Sequence, residues 1–478
     1  MNFNRKSVKL LVCYYFFIAV VAFWYMHADE HFQIVEFASY KAGITPLDAM
    51  PWEFEAKIRS SIMPFIAFLL IKLFSFFGIE NPFVIGASAR VIATLFFIYS
   101  LYRIAPFFLD KLELEADKKK IILFTLCFWI MPSFMTRFSS ESFSASFFWI
   151  GFALFDSRKS YESDKLKLIL IGILFGFSFY FRFQIAFLLL FLFIWSIIYL
   201  RKRFFDWFFI AAGTLIPLIA EYFTNLWLYG EFVFSPYRYF RENIINNVAA
   251  TFGTEPFYYY FQCFFLFFTP PVGLFIILGM FFYAIKFKHS VFTYLLIGFV
   301  GFHSLIGHKE FRFMVPVFSI MVPMAYIGFL YWFKHRKIVD VCLKVFIILN
   351  LILLPTALIV KSTRSLNYFV IYFDSLHENQ IYCDKLNPYC LNNRFPNAKH
   401  YFMKRRDLQV IETHKDSLTA GQNYFITRHY YGETFFVNKN KYIKTYQTLP
   451  KSIVKRLPVN VEDPVGVTYI YKSETLMQ

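Results

Sequence analysis

Charge and cysteine are scarce in this chain, and internal repeats and low-complexity tracts are missing. Only 17% of its 478 residues are charged. A soluble domain of this size interrupts its apolar runs with charge more often, so that class is excluded. Six cysteines are scattered. Cys13, Cys127, Cys263 and Cys342 fall in apolar stretches and read as buried thiols, and no metal-ligand spacing is present. Cys383 and Cys390 lie close together in a polar tail, where a disulfide between them requires an oxidising compartment. The N-terminus has basic residues (Arg5, Lys6, Lys9) but no small-residue cleavage site, so the first apolar segment reads as a retained span or signal anchor.

What the chain does have is apolar surface. It is 58% hydrophobic, with 69 Phe. Apolar runs of roughly 18 residues recur, which predicts a polytopic helical membrane protein of about 11–12 spans. The formal charge of +17 does not point to nucleic acid, because the cations cluster between apolar runs as the positive-inside rule expects. The N-terminus, 103–120, 158–167, 201–203, 286–288 and 334–337 read as cytoplasmic. The opening loop, 137–141, Arg182, 229–255, 303–312 and the tail then share the opposite side. Two full spans between Ser61 and Arg103 would break this pattern, so one of those runs is expected not to cross fully.

The membrane domain is predicted over residues 1–361. It contains a polar loop at 26–60, with helix-like pieces around Glu30–Tyr40 and Trp52–Ser61, and a second polar loop at 229–256. The apolar runs include 62–77, 83–103, 121–134, 143–155, 166–181, 183–200, 207–228, 256–285, 291–306, 314–333 and 338–360. Residues 362–478 differ. Short β-branched and aromatic runs at 380–383, 424–427 and 467–471 predict a small soluble α/β or mostly β domain on the non-cytoplasmic side.

The candidate chemistry lies on that non-cytoplasmic side. Directly after the first span come His27, Asp29, Glu30 and His31, an expensive set of ionisable groups at a membrane exit. The cluster is either a catalytic carboxylate site or a solvated helix cap. Glu53, Arg59, Arg137, Glu141, Arg182, Lys309, Glu310 and Arg312 are assigned to the same face. Cations there suit an anionic lipid-linked donor, and a carboxylate suits deprotonation of a hydroxyl. Arg182 could equally be a snorkelling cation, and Arg137 and Glu141 a simple i,i+4 helix pair. The packing of His308, Lys309, Glu310 and Arg312 between two apolar runs favours a site. A transporter would place charge mid-span and show two related halves, and neither is seen.

Three motifs together carry a resemblance. His27-Ala-Asp-Glu-His-Phe-Gln33, Trp52-Glu53 with Arg59-Ser60, and His308-Lys-Glu-Phe-Arg-Phe313 resemble the family 22 glycosyltransferases, the α-mannosyltransferases of GPI-anchor and N-glycan assembly. Gly253, Pro256 and Tyr260 match a further family stretch. The resemblance covers about residues 27–313. Ala28 stands where the family has Pro, Pro51 where it has Thr, Phe54 where it has Trp, and Glu255 where it has His. The resemblance implies an all-α, GT-C-like helical bundle with its active site on the lumenal or periplasmic face, in an ER or bacterial inner membrane. It implies inverting transfer of a sugar, usually mannose, from a polyprenyl- or dolichyl-phosphate donor to a glycan or glycolipid acceptor, with no cofactor and no required metal. Asp29 would be the general base and Glu30 its neighbour in acceptor positioning. His308, Lys309 and Arg312 would bind donor. His27, Gln33, Trp52, Glu53, Arg59, Arg137, Arg182 and Glu310 complete the expected donor- or acceptor-binding set. The alternatives are a GT-C enzyme for another lipid-linked sugar, or a lipid-linked glycan flippase or transporter.

Overall fold

The computed structural model describes residues 5–22, 27–155, 164–200, 204–333, 336–355, 362–384, 387–392, 395–419, 421–427, 430–447 and 468–474. The basic patch 201–203, most of the 156–165 linker and the Cys390 side chain lie outside the described residues, so the Cys383–Cys390 pairing does too. The chain divides into two compact units. One comprises residues 1–21, 56–65 and 88–359, and the other 22–55, 66–87 and 360–478.

The first unit is helical. Among the described residues, three helices are long and apolar enough to cross a membrane: Pro82–Leu109, Phe205–Tyr229 and Phe311–Trp332. Shorter apolar helices include Ile62–Phe76, Pro270–Lys286 and Val291–Leu305. Ile62–Phe76 has 15 residues, about 22 Å of rise against a hydrocarbon core of about 30 Å.

Several apolar runs are subdivided. The run at 256–285 becomes Tyr259–Phe267 and Pro270–Lys286, because Pro270 and Pro271 bar a continuous helix through Thr269. The run at 121–134 is interrupted after Cys127 and resumes as Ile130–Met135. The Trp129 amide released there donates to Asn350 Oδ1 at 3.0 Å.

Helix Val315–Trp332 is the buried centre of this unit, inaccessible along nearly its whole length. It packs closely on Pro270–Lys286. A Cβ on Gly328 would lie 2.0 Å from the Gly279 carbonyl oxygen, and one on Gly279 would lie 2.6 Å from Ala325 Cα. Small residues at this crossing let the backbones touch. The Trp149 indole N–H, on helix Ser140–Leu154, donates to the Pro316 carbonyl at 2.7 Å and holds the start of the central helix.

In the second unit, strands β1 (Gln380–Cys383), β2 (Cys390–Asn392), β3 (Phe395–Lys399), β4 (Gln409–Glu412), β5 (Tyr424–Thr427), β6 (Thr434–Val437), β7 (Asn440–Gln447) and β8 (Tyr469–Ser473) form two sheets. The larger has the order β4-β1-β5-β8-β7-β6, parallel around β1 and antiparallel from β5 onward, and β2 pairs with β3. Phe425, Phe435, Tyr442 and Tyr471 fill its core. Two of the expected strands fall at 380–383 and 424–427, and the third is shifted to Tyr469–Ser473. Helix Ser362–Asp374 precedes the sheet and places Phe369 and Phe373 against Phe83.

Candidate functional site

The opening loop builds one cluster within the second unit. His27 is extended, and its Nδ1 accepts the Asp29 amide at 3.2 Å, capping the short helix Ala28–Glu30. Ala28 is the first residue of that helix, a position where Pro and Ala both fit. The same His27 nitrogen lies 3.1 Å from Asp29 Oδ1, with the Asp29 side chain about one-fifth exposed. Glu30 is buried.

The chain then makes a π-turn over His31–Val35 before resuming as helix Glu36–Lys41. In an α-helix, residues five apart diverge by about 140°. The wider turn instead brings His31 Nε2 to 2.5 Å from Glu36 Oε1, with both side chains buried. Glu36 also accepts the Thr45 hydroxyl at 2.5 Å and the Phe402 amide at 3.1 Å. Gln33 donates to Glu53 Oε1 at 3.0 Å, joining the two helical pieces of the loop. The second piece is shorter than expected, Trp52–Ala56, because Lys57 takes a left-handed conformation with φ +56°. Trp52 is partly exposed.

A second cluster lies in the first unit, where three helix ends meet. Ser139 caps helix Ser140–Leu154 by accepting the Ser142 amide, which puts Glu141 in the positive first turn. Arg182 ends helix Lys165–Phe181. Arg312 sits in the turn Phe311–Met314, just before the central helix. Arg312 Nη1 is 3.2 Å and Arg182 Nη2 3.4 Å from the same Glu141 oxygen. Arg312 also donates from Nε and Nη2 to Glu310, at 2.5 and 3.1 Å.

His308 faces acceptors at both ring nitrogens, with the Gly253 carbonyl 2.9 Å from Nδ1 and Glu310 Oε1 3.1 Å from Nε2. Both contacts are satisfied only when both nitrogens carry protons. The hydrogen bond to Glu310 accordingly raises the imidazole above its ordinary value. The Lys309 ammonium donates to the Glu255 carbonyl at 2.6 Å, and burial lowers its pKa. Arg182, His308, Lys309 and Arg312 thus stand against Glu141, Glu310 and the Glu255 carboxylate that acts on Lys309, a net positive, partly dehydrated cluster at a helix N-terminus. Such a cluster suits an anion.

The network extends further than the motifs suggest. Arg182 Nε donates to Gln184, Gln184 donates to the Tyr239 hydroxyl at 3.4 Å, and the Arg59 guanidinium lies 5.8 Å from the Tyr239 ring. Tyr229 donates to the Arg59 backbone carbonyl, and Glu221 accepts the Ser60 side-chain hydroxyl at 2.6 Å. Gln184, Tyr239 and Glu221 carry no motif signal. Their roles depend on which helices the bundle brings together.

Arg137 and Glu141 are not neighbours on one helix, since the chain breaks between Met135 and Ser140. Arg137 is buried and donates to the Ser133 carbonyl. Among the described residues no group of three or more His, Cys, Asp or Glu side chains is arranged to hold a metal ion.

The sequence profile of the Alg9-like mannosyltransferase family matches residues 7–390. The chain is similar to the mannosyltransferase APTG1 of Arabidopsis thaliana, 25% identical over 66% of this chain and 56% of that one. It is 25% identical to GPI mannosyltransferase 3 of Candida albicans, over 64% of this chain and 60% of the relative. The protein of that name from Debaryomyces hansenii is 28% identical over 69% and 60% of the two chains. The chain therefore spans about six-tenths of the length of these curated relatives. In fold it resembles ArnT from Cupriavidus metallidurans, solved bound to undecaprenyl phosphate, with a TM-score of 0.51, 9% identity, and coverage of 98% of this chain and 97% of ArnT. The likeness is one of fold, and this chain is a GT-C-like helical bundle with a small C-terminal sheet domain.

Proposed function

Because the chain belongs to the Alg9-like mannosyltransferase family, we propose that it is an integral membrane mannosyltransferase. It takes mannose from a polyprenyl- or dolichyl-phosphate donor and passes it, with inversion, to a glycan or glycolipid acceptor. The observation that carries this reading is the pair Arg182 and Arg312 held on one Glu141 oxygen beside a doubly hydrogen-bonded His308. Carboxylates that pin the guanidinium groups leave a rigid cationic surplus for a phosphate. ArnT was solved bound to undecaprenyl phosphate, and a fission-yeast relative that is 33% identical over 22% of this chain is described as using Dol-P-Man. Both support a lipid-phosphate donor here.

In the proposed mechanism an acceptor hydroxyl attacks the anomeric carbon opposite the lipid phosphate. Asp29 takes the hydroxyl proton as the new bond forms, and Glu30 orients the acceptor. The bond to the phosphate oxygen breaks, and the charge that develops there is met by Arg182, His308, Lys309 and Arg312. Arg59 supports the same cluster through Tyr239 and Gln184. Gln33 and Glu53 hold the loop that carries Asp29, His27 caps it, and Trp52 offers an aromatic surface for a sugar. The active site is assigned to the periplasmic or lumenal side.

The test is transfer by the purified full-length chain from radiolabelled polyprenyl-phosphate mannose to lipid-linked glycan acceptors. Mannose in a new glycosidic bond is the expected result. Movement of intact donor across vesicles without bond cleavage would instead identify a transporter and overturn the reading.

A further inference from the structure

The C-terminal domain holds a polar cavity of about 170 Å³, lined by Asn387, Tyr389, Lys399, His400 and Lys404 among others. Tyr389 is almost fully buried, yet its hydroxyl meets no hydrogen-bond partner among the described residues. Leaving a buried donor unsatisfied costs about 1–3 kcal/mol, and such groups are retained where something else supplies the acceptor. Burial also pushes the phenol well above its usual range, so it remains a donor.

The charge at this cavity is positive. Burial lowers the Lys404 ammonium, Asp407 opposes that shift, and the repulsion of Lys399 adds to it. Asp407 attracts Lys404 more than Lys399 repels it, but it is exposed, does not line the cavity and also pairs with Arg405 Nε at 2.5 Å. An ammonium that is half-buried and repelled by a second one is stabilised by an anion between them.

We propose that this cavity is a binding site for a phosphate-sized anion, the phosphoryl group of a soluble or lipid-linked ligand. Lys399 and Lys404 supply the charge and the Tyr389 hydroxyl donates. The cavity wall is continuous with the loop that carries Asp29. The His400 ring, on that wall, lies 4.4 Å from the His31 ring at 31°. Two residues on, the Phe402 amide donates to Glu36. His400 is itself fixed by the Tyr368 hydroxyl at 3.1 Å and the Tyr389 carbonyl at 3.0 Å. If the mannosyltransferase reading holds, on which this last step rests, the anion is a phosphate of the acceptor glycolipid, and its binding steadies the Asp29 loop.

Binding of inorganic phosphate to the purified full-length chain, followed by calorimetry, tests the site. Saturable binding is expected, weakened about tenfold or more in the Lys399→Ala/Lys404→Ala double variant, as loss of two charge-assisted contacts implies. Tyr389→Phe keeps the ring packing and should weaken binding several-fold, which separates loss of the site from loss of the fold. Vesicles of phosphatidic acid in phosphatidylcholine that compete with phosphate assign the site to a lipid headgroup. Absence of competition assigns it to a soluble phosphate compound. No saturable binding of phosphate or of these vesicles, or binding unchanged in the double variant, overturns the proposal. Asp29→Asn should bind phosphate as the parent chain does, so loss of mannosyl transfer with binding intact refutes only the catalytic reading.

Discussion

His31 and Glu36 form a buried pair across a π-turn, with Nε2 and Oε1 2.5 Å apart. Glu36 serves two further donors at the same time, the Thr45 hydroxyl and the Phe402 amide. This one carboxylate therefore ties the segment after Asp29 and Glu30 to the C-terminal domain, within a single compact unit.

Removing it should be costly. Glu36→Ala removes the acceptor shared by His31, the Thr45 hydroxyl and the Phe402 amide, of which Thr45 keeps Ser39, and loss of one partner of a buried pair typically costs about 3–5 kcal/mol. Lower thermal stability of the purified protein and faster proteolysis of the C-terminal domain are expected. Glu36→Gln keeps an acceptor oxygen and should lose less.

Asp29→Asn should leave the fold intact, because the helix cap uses the residue-29 amide rather than its carboxylate. Transfer should fall by about 10²–10⁴-fold, the usual contribution of a general base. The loss should appear in kcat with the donor KM little changed. Near-parental turnover would remove Asp29 from the mechanism.

Arg312→Lys keeps the charge but cannot reach Glu141 and Glu310 together, as the guanidinium does through three nitrogens. A drop in kcat/KM for the lipid-phosphate donor of about 10–100-fold is expected. Glu141→Gln should act in the same direction, since it removes the negative charge that Arg182 and Arg312 both face. Steady-state kinetics at fixed acceptor will measure both.

The His308 pKa is raised in the folded protein, first through its bond to Glu310. Its cationic form is therefore complete below the ordinary value near 6.5 and is lost as pH rises through the higher folded value. Donor kcat/KM should fall as pH rises through that folded value. The step should move to lower pH in Glu310→Gln and vanish in His308→Gln. A profile identical in all three proteins would separate His308 from donor binding.

Gly328→Ala places a methyl 2.0 Å from the Gly279 carbonyl oxygen. Overpacking of this kind costs about 1–3 kcal/mol. Reduced thermal stability is expected, and Gly301→Ala, where a Cβ would meet open space, is the control.

Much of the fold is legible in local pattern. Apolar runs mark the helices, the prolines at 270 and 271 mark a break, and β-branched runs mark strands β1 and β5. The interruption after Cys127 is marked by Pro132, whose ring bars an α-helical bond to the Phe128 carbonyl, and only its partner is out of local reach, the distant Asn350 side chain that receives the Trp129 amide. The two candidate clusters divide the same way. Asp29, Glu30, Arg182, His308 and Arg312 stand out as ionisable groups beside apolar runs. The His31–Glu36 pair escapes α-helical spacing, since only a wider turn brings residues five apart together. Gln184, Tyr239 and Glu221 look like ordinary polar residues until their helices pack.

By itself the sequence determined that this is a membrane helical bundle followed by a strand-rich domain, and it marked the ionisable groups that stand beside apolar runs. Both conclusions depend on transfer energies and periodicity, which are properties of neighbouring residues. Only the tertiary structure decided that Arg182 and Arg312 share Glu141, that Arg59 reaches their network through Tyr239 and Gln184, and that Glu36 receives the Phe402 amide. Hydrogen bonds and ion pairs act over about 3 Å between residues far apart in the chain, so packing alone selects the partners.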